Sequence, residues 1–333
     1  MKAFSISRYK KETDLQLVDI PEPIVKEDEV LIEIHAASVN LLDSKIKSGE
    51  FKLILPYKLP LILGHDVAGI IVKVGSKVKN FKVGDEIYAR AADFHIGTFA
   101  ESISVNEKDL ALKPTNLTME EAASIPLVGL TAWQALVEKA NLQKGQKVFI
   151  QAGSGGVGTF AIQLAKYLGA TVATTASEKS FDFLKNLGAD VLIDYKTQNF
   201  EDILTDYDVV LNSQDPKTLE KSFGVVKSNG KIISISGPPT PVFANEFNLP
   251  WYVKFATKFL SSKVRKIAKK QNVHYSFLFM KADGKQLGEI TKLIESGKIK
   301  PVIDKVFPFE STNEAVKYVE SGRAKGKVVI KMK

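Results

Sequence analysis

The run KVFIQAGSGGVGTFAIQLAKYLG, residues 147–169, constrains this chain more than any other stretch. KVFI is a short apolar segment of the kind that forms a buried parallel strand. GTFAIQLAKYLG carries apolar residues at Phe160, Ile162, Leu164, Ala165 and Leu168 and stops at Gly169, as an amphipathic helix does. Between them lie four glycines within the nine residues 150–158. A strand that turns into a helix through bare backbone leaves the first helical N–H groups uncovered at the positive end of the helix dipole, where an anion binds. The spacing Gly153-x-x-Gly156-x-Gly158 overlaps the G-x-G-x-x-G arrangement that cradles a dinucleotide pyrophosphate, without matching it strictly. Gly153, Ser154, Gly155, Gly156 and Val157 are the expected cofactor contacts, and Gly158 is expected to let the helix pack closely on the strand. The competing explanation is a glycine-rich turn that serves packing alone.

The surroundings favour the phosphate. From residue 147 to 237, strand-like runs (TVATTA, DVLIDY, DVVLNS, KIISISG) alternate with helix-like ones (KSFDFLKNLG, TLEKSFGVV), the pattern of a parallel sheet with crossover helices. The first part differs. EVLIEIHAASV (29–39) and DVAGIIVKV (66–74) are Val- and Ile-rich runs followed by glycine-containing turns, which points to a compact β-rich module. At Thr118 the texture changes: Glu121 follows at a capping-box spacing, Pro126 interrupts, and a second helical stretch reaches about Asn141. The C-terminal part holds two helical patterns and two strand-like runs. The expected fold is α/β, with a β-rich domain split by an inserted doubly wound domain: 1–122, then 123–265, then 266–333 back in the first domain.

At about 100–200 residues per domain, 333 residues accommodate two such domains. A charged fraction of 25% argues against disorder, and a net charge of +8 decides nothing alone between anionic small ligands and nucleic acid. The absence of cysteine excludes disulfides, thiolate zinc sites and a cysteine nucleophile. It is compatible with the cytoplasm. MKAFSISRYKKETDL has no apolar run long enough for a signal peptide, and no stretch approaches a membrane span, so no membrane partner is expected.

An NAD site usually places an acid at the end of the second strand, on the ribose 2′-hydroxyl. Here that strand is TVATTA, followed by Ser177-Glu178-Lys179. Its tip carries no acid, and Ser177 and Lys179 suit a 2′-phosphate. Glu178 is the one feature against this. NADPH is the expected cofactor.

The segments VLIEIHAASVNLLDSKIKSGE, LPLILGHDVAGIIVKVGSKV, FKVGDEIYA, GTFAESISV, AASIPLVGLTAWQAL, QAGSGGVGTFAIQLAKYLGA, LGADVLIDY and GRAKGKVVI together resemble the zinc-independent quinone and alkenal/enone oxidoreductase branch of the medium-chain dehydrogenase/reductase superfamily, essentially end to end. The resemblance implies a GroES-like catalytic domain split by a Rossmann domain, NADPH hydride transfer to a quinone or activated alkene, and a homodimer. It places Asn40 and Thr131 beside the nicotinamide, and gives Asp43 a structural role. Lys179, Tyr195 and Arg323, with Ser177, match positions around the 2′-phosphate. Many quinone-reducing relatives carry a tyrosine where this chain has Lys45. Lys45 is the expected proton donor or electrostatic stabiliser, against the alternative of a solvated surface lysine. Gly64-His65-Asp66 resembles the G-H-E motif of the zinc-using relatives, but the accompanying cysteine is missing and one histidine does not hold zinc.

Two alternatives stand beside this expectation. One is a zinc-free alcohol or enoyl-thioester reductase. The other is an NADPH-binding protein acting mainly on RNA or a protein partner, prompted by the basic stretch 258–270, in which Phe259, Leu260, Val264, Ile267 and Ala268 can form one helical face. That stretch reads either as a helix near the cleft or the dimer edge or as a surface for anionic partners, RNA or an acidic membrane. Nucleic acid is the less favoured partner.

Overall fold

The computed structural model describes residues 1–333. The chain forms two compact units, Met1–Leu130 with Lys281–Lys333, and Thr131–Met280.

The first unit begins with strands β1 (Lys2–Ile6), β2 (Gln16–Asp19) and β3 (Glu29–Val39), helix α1 (Leu41–Ser48), and strands β4 (Leu61–Ile62), β5 (Asp66–Val74), β6 (Glu86–Arg90), β7 (Ser102–Asn106) and β8 (Leu110–Leu112). Helices α2 (Met119–Ala123) and α3 (Pro126–Trp133) follow. The two Val- and Ile-rich runs read from the sequence are β3 and β5, and Thr118 caps α2 with the expected reciprocal bond to Glu121. The sheet runs β15-β16-β3-β5-β6-β8, its first two strands being β15 (Ile303–Pro308) and β16 (Lys327–Lys331) from the far end of the chain. β3 is buried along nearly its whole length because it is paired on both sides, with β5 and β7 along one stretch and β16 along another. The register sets Ser38 opposite Asp66 and Val39 opposite Val328. It therefore gathers the end of β3, the start of β5 and the start of β16.

The second unit is a parallel sheet of β9 (Lys147–Ile150), β10 (Thr171–Ala176), β11 (Val191–Asp194), β12 (Tyr207–Asn212), β13 (Val226–Ser234) and β14 (His274–Phe277), in the order β11-β10-β9-β12-β13-β14. Between the strands run α4 (Gly156–Tyr167), α5 (Phe181–Asn186), α6 (Pro216–Ser222), α7 (Pro241–Glu246), α8 (Trp251–Leu260) and α9 (Ser262–Gln271). This is the doubly wound order, and the chain reverses direction across the sheet between β9 and β12, where ligands bind in such folds. Phe149, Ala173, Ile193, Val210 and Ile232 line the core from successive strands. The division between the units falls later in the chain than the expected limits at 122/123 and 265/266. Residues 266–280 stay in the second unit because α9 buries Val264 and Ala268 in its core and β14 pairs with β13 as the sixth strand.

Helices α10 (Gly284–Glu295) and α11 (Thr312–Glu320) complete the first unit. Tyr88 on β6 donates to the Leu287 carbonyl of α10 at 2.7 Å, which fastens the returning segment to the first part.

Candidate functional site

In the first unit, Asn40 is the residue between β3 and α1, and it is buried. Its backbone N–H donates to Asp43 Oδ2 at 2.7 Å, an acid in the first turn of α1. Asp43 Oδ1 lies 2.6 Å from His65 Nδ1, and both side chains are fully buried. The carboxylate thus fixes the imidazole, while Nε2 has no partner. Asp66, the next residue, is the centre of a second cluster. Its Oδ2 accepts from Ser38 Oγ at 2.7 Å, Asn40 Nδ2 at 2.9 Å and Lys327 Nζ at 3.3 Å. Its Oδ1 accepts the Leu127 backbone N–H at 2.8 Å, at the first turn of α3, where a negative charge complements the helix dipole. Lys327 Nζ also donates to Asn40 Oδ1 and to the Val39 carbonyl.

A buried cation and carboxylate survive only when their remaining donors and acceptors are filled. Here they are. The Asn40 amide is consumed by the same network: Oδ1 faces Lys327, and Nδ2 donates to Asp66 and, at 3.5 Å, to the Ser38 carbonyl. Lys327, Asp66 and His65 were not among the expected catalytic residues. Lys327 does leave a trace in the sequence, as the lysine directly before the apolar run VVI.

Lys45 sits half-buried on α1, 3.1 Å from Glu50 and with its ammonium 5.8 Å from the Phe51 ring centroid. It belongs neither to the Asp43–His65 pair nor to the Asp66 cluster. Tyr57, also buried, has its phenol pushed well above the ordinary range, by burial first and by the negative charge of Asp93 second.

In the second unit, the glycine loop joins β9 to α4. Its root hangs on β10: Gly153 N–H donates to the Thr175 carbonyl at 3.0 Å, and Ala152 N–H to Thr175 Oγ1 at 3.1 Å. The glycines divide by role. A Cβ at Gly153 would lie 2.2 Å from Thr174 Oγ1, and one at Gly158 would lie 2.4 Å from the Ala152 carbonyl oxygen, so both permit close packing. A Cβ at Gly155 meets nothing nearer than 3.4 Å. That glycine leaves space rather than filling it. No side chain caps α4 at Gly155, and Ser154, Gly155, Gly156 and Val157 are only half-buried. The loop therefore presents the open helix N-terminus that a pyrophosphate requires.

β10 ends at Ala176, and Ser177, half-buried, follows. The Tyr195 N–H contacts the Ala176 carbonyl at 3.4 Å, so Tyr195 stands beside that tip, with its side chain exposed. Lys179 and Glu178 are both exposed. These residues form one end of the second unit's sheet. Thr131, buried, opens the second unit, within α3. Arg323 is exposed and belongs to the first unit.

Comparison with known proteins gives this geometry a lineage. Residues 26–115 match the alcohol dehydrogenase GroES-like domain, and residues 187–330 match the zinc-binding dehydrogenase family. The chain is 40% identical to a 2-methylene-furan-3-one reductase of Solanum lycopersicum, over 99% of this chain and 79% of that one. It is 38% identical to an NADPH-dependent alkenal/one oxidoreductase of Arabidopsis thaliana, again over 99% and 79%. The structure of a quinone oxidoreductase from Coxiella burnetii superposes with a TM-score of 0.87 at 32% identity, covering 100% of this chain and 99% of that one. The chain belongs to the medium-chain dehydrogenase/reductase superfamily. It is an oxidoreductase of that superfamily's GroES-like and Rossmann type. The word zinc in one family description does not carry over to its donor set: no group of three or more His, Cys, Asp or Glu side chains lies close enough together to hold a metal ion.

Proposed function

We propose that the protein is an NADPH-dependent oxidoreductase acting on quinones or on the activated C=C bond of α,β-unsaturated carbonyls, without zinc. The observation that carries this is the division of labour in the glycine loop, with Gly153 and Gly158 packed and Gly155 open at an uncapped helix start. The loop fits a dinucleotide, and a β10 tip free of acid fits a 2′-phosphate. The backbone from Gly153 to Val157 would hold the pyrophosphate, and Ser177, Lys179 and Tyr195 the 2′-phosphate. The resemblance further assigns Arg323 to the 2′-phosphate, and Thr131 and Asn40 to the nicotinamide. When bound, NADPH supplies the hydride.

The rest falls to this chain's own groups. Reduction of an enone places negative charge on an enolate oxygen, which needs donors. The Asn40 amide is already committed to Lys327 and Asp66, so its part is to hold the β3–α1 corner in place. Lys45, paired with Glu50 at 3.1 Å, is the cation we assign to the developing charge, and water supplies the α-carbon proton. We assign the enzyme to the cytoplasm as a homodimer. β14 supports the dimer, being an edge strand with unpaired backbone groups on one side.

Turnover of an acyclic enone and an ortho-quinone with NADPH, for the parent and for Lys45→Met, tests the reading. At least one substrate is expected to turn over, with a fall of about a hundredfold or more in kcat for Lys45→Met. Intact turnover in Lys45→Met removes Lys45 from the mechanism, and no turnover of either substrate removes the assignment.

A further inference from the structure

We propose that α8 and α9 form a docking surface for an anionic phospholipid bilayer, on which the protein lies without spanning it. Helix α8 is inside out for a globular protein. Its buried side is Val253 and Thr257, while Trp251, Phe255 and Phe259, spaced four residues apart on one face, are 79%, 59% and 64% exposed. Tyr252 and Leu260 widen the face at 55% and 63%. The Phe255 and Phe259 rings pack edge-on with centroids 4.8 Å apart, and Trp251 packs edge-on against Tyr252 at 6.1 Å, so the face is an apolar ridge of two aromatic pairs. Contiguous exposed apolar surface on this scale marks an interaction site.

The charge around the ridge selects the partner. Between Trp251 and Gln271 the chain carries lysine or arginine at seven positions and no Asp or Glu. Lys263 is paired with Glu220, and Arg265 folds back onto the Lys258 carbonyl and Ser261 Oγ. Lys254, Lys258, Lys266, Lys269 and Lys270 make no ion pair. α9 turns Val264 and Ala268 into the core, which leaves its last three lysines on the solvent side.

A second copy of this chain is a poor occupant. A two-fold contact would set these lysines against the same lysines, and the two helices themselves carry no carboxylate to pair them. Single-stranded RNA stacks its bases on separate aromatic platforms, whereas this ridge is closed by its own ring-on-ring packing and by the aliphatic Leu260. An aromatic ridge flanked by lysines is the pattern of a helix lying at the headgroup boundary of an acidic membrane. No helix of the protein is long and apolar enough to cross a membrane. The lack of a span, from which no membrane partner is expected, does not bear on a surface of this kind, and the basic stretch 258–270 already points to an acidic membrane as one anionic partner.

Flotation of the full chain with vesicles of phosphatidylcholine, with and without phosphatidylglycerol, tests this. The expected result is binding at least about tenfold tighter to the acidic vesicles, weakened by salt, with Trp251 emission quenched by brominated lipid. Phe255→Ser with Phe259→Ser, and separately Lys266→Glu with Lys269→Glu, should each weaken it about tenfold or more at an unchanged thermal midpoint. Absence of vesicle binding overturns the proposal, as does binding indifferent to both variants. So does a dimer that the phenylalanine variant splits while vesicles stay unbound, or RNA binding in place of vesicle binding.

Discussion

Lys327 and Asn40 are 287 positions apart in the chain, and the lysine ammonium donates directly to the asparagine side-chain oxygen inside the first unit. The contact joins the end of β3 to the start of β16 and draws Asp66 into the same cluster. Removing one member of a buried charge pair leaves the other without compensation, which costs about 3–5 kcal/mol. Lys327→Met should lower the urea midpoint accordingly. A midpoint equal to the parent's would show that Ser38, Asn40 and the Leu127 amide satisfy Asp66 alone.

The glycine loop yields a contrast between two single substitutions. Gly153→Ala forces a methyl against Thr174 and should destabilise the fold by about 1–3 kcal/mol. Gly155→Ala has room for its methyl within the protein. It should fold like the parent yet bind NADPH about tenfold or more weakly, by crowding the pyrophosphate. Paired thermal melts and cofactor titrations separate the two, and equal NADPH affinity in Gly155→Ala would take the pyrophosphate away from this loop.

The site proposed for the 2′-phosphate at the β10 tip makes cofactor choice a test of its own. Lys179→Glu puts a second acid beside Glu178 and removes a cation from the site proposed for the 2′-phosphate. NADPH affinity should drop about 10–100-fold, as for loss of a charge-assisted contact, with NADH little affected. Titration of both cofactors into the variant decides it, since a parallel fall for both would mean a general disturbance.

High pH supplies a test of the buried core. The Tyr57 phenol is raised in the folded protein above its ordinary value of 10.0. Its contribution is therefore fully present below about pH 10 and is lost as pH rises toward the folded value, because the unfolded chain ionises first. Stability should fall with pH above about 10, and Tyr57→Phe should flatten that slope. Urea midpoints measured across the alkaline range give the slope for each protein, and identical slopes would show that Tyr57 is not the group responsible.

The parts legible in the sequence are those written locally. The glycine loop needs a strand, a turn and a helix in one run of residues, and the Thr118–Glu121 cap needs four. β3 and β5 announced themselves by Val and Ile. The Lys327–Asn40–Asp66 cluster is built by strand register between distant segments, which no local pattern records. The basic stretch shows the other failure. A single helix through residues 258–270 would have put Phe259, Leu260, Val264, Ile267 and Ala268 on one face. The chain instead breaks at Ser261 between α8 and α9, so Val264 and Ala268 go inward while Phe259 and Leu260 point to solvent.

The most direct test of the central claim follows the hydrogen itself. The enzyme is given NADPH deuterated at the transferring position of the nicotinamide, an acyclic enone and ordinary water, and the product is examined by mass spectrometry and NMR. The account predicts one deuterium at the β-carbon for each NADPH consumed, with ordinary hydrogen at the α-carbon. Reduced product with no deuterium at the β-carbon, or tight NADPH binding with no consumption in the presence of either the enone or a quinone, would contradict it.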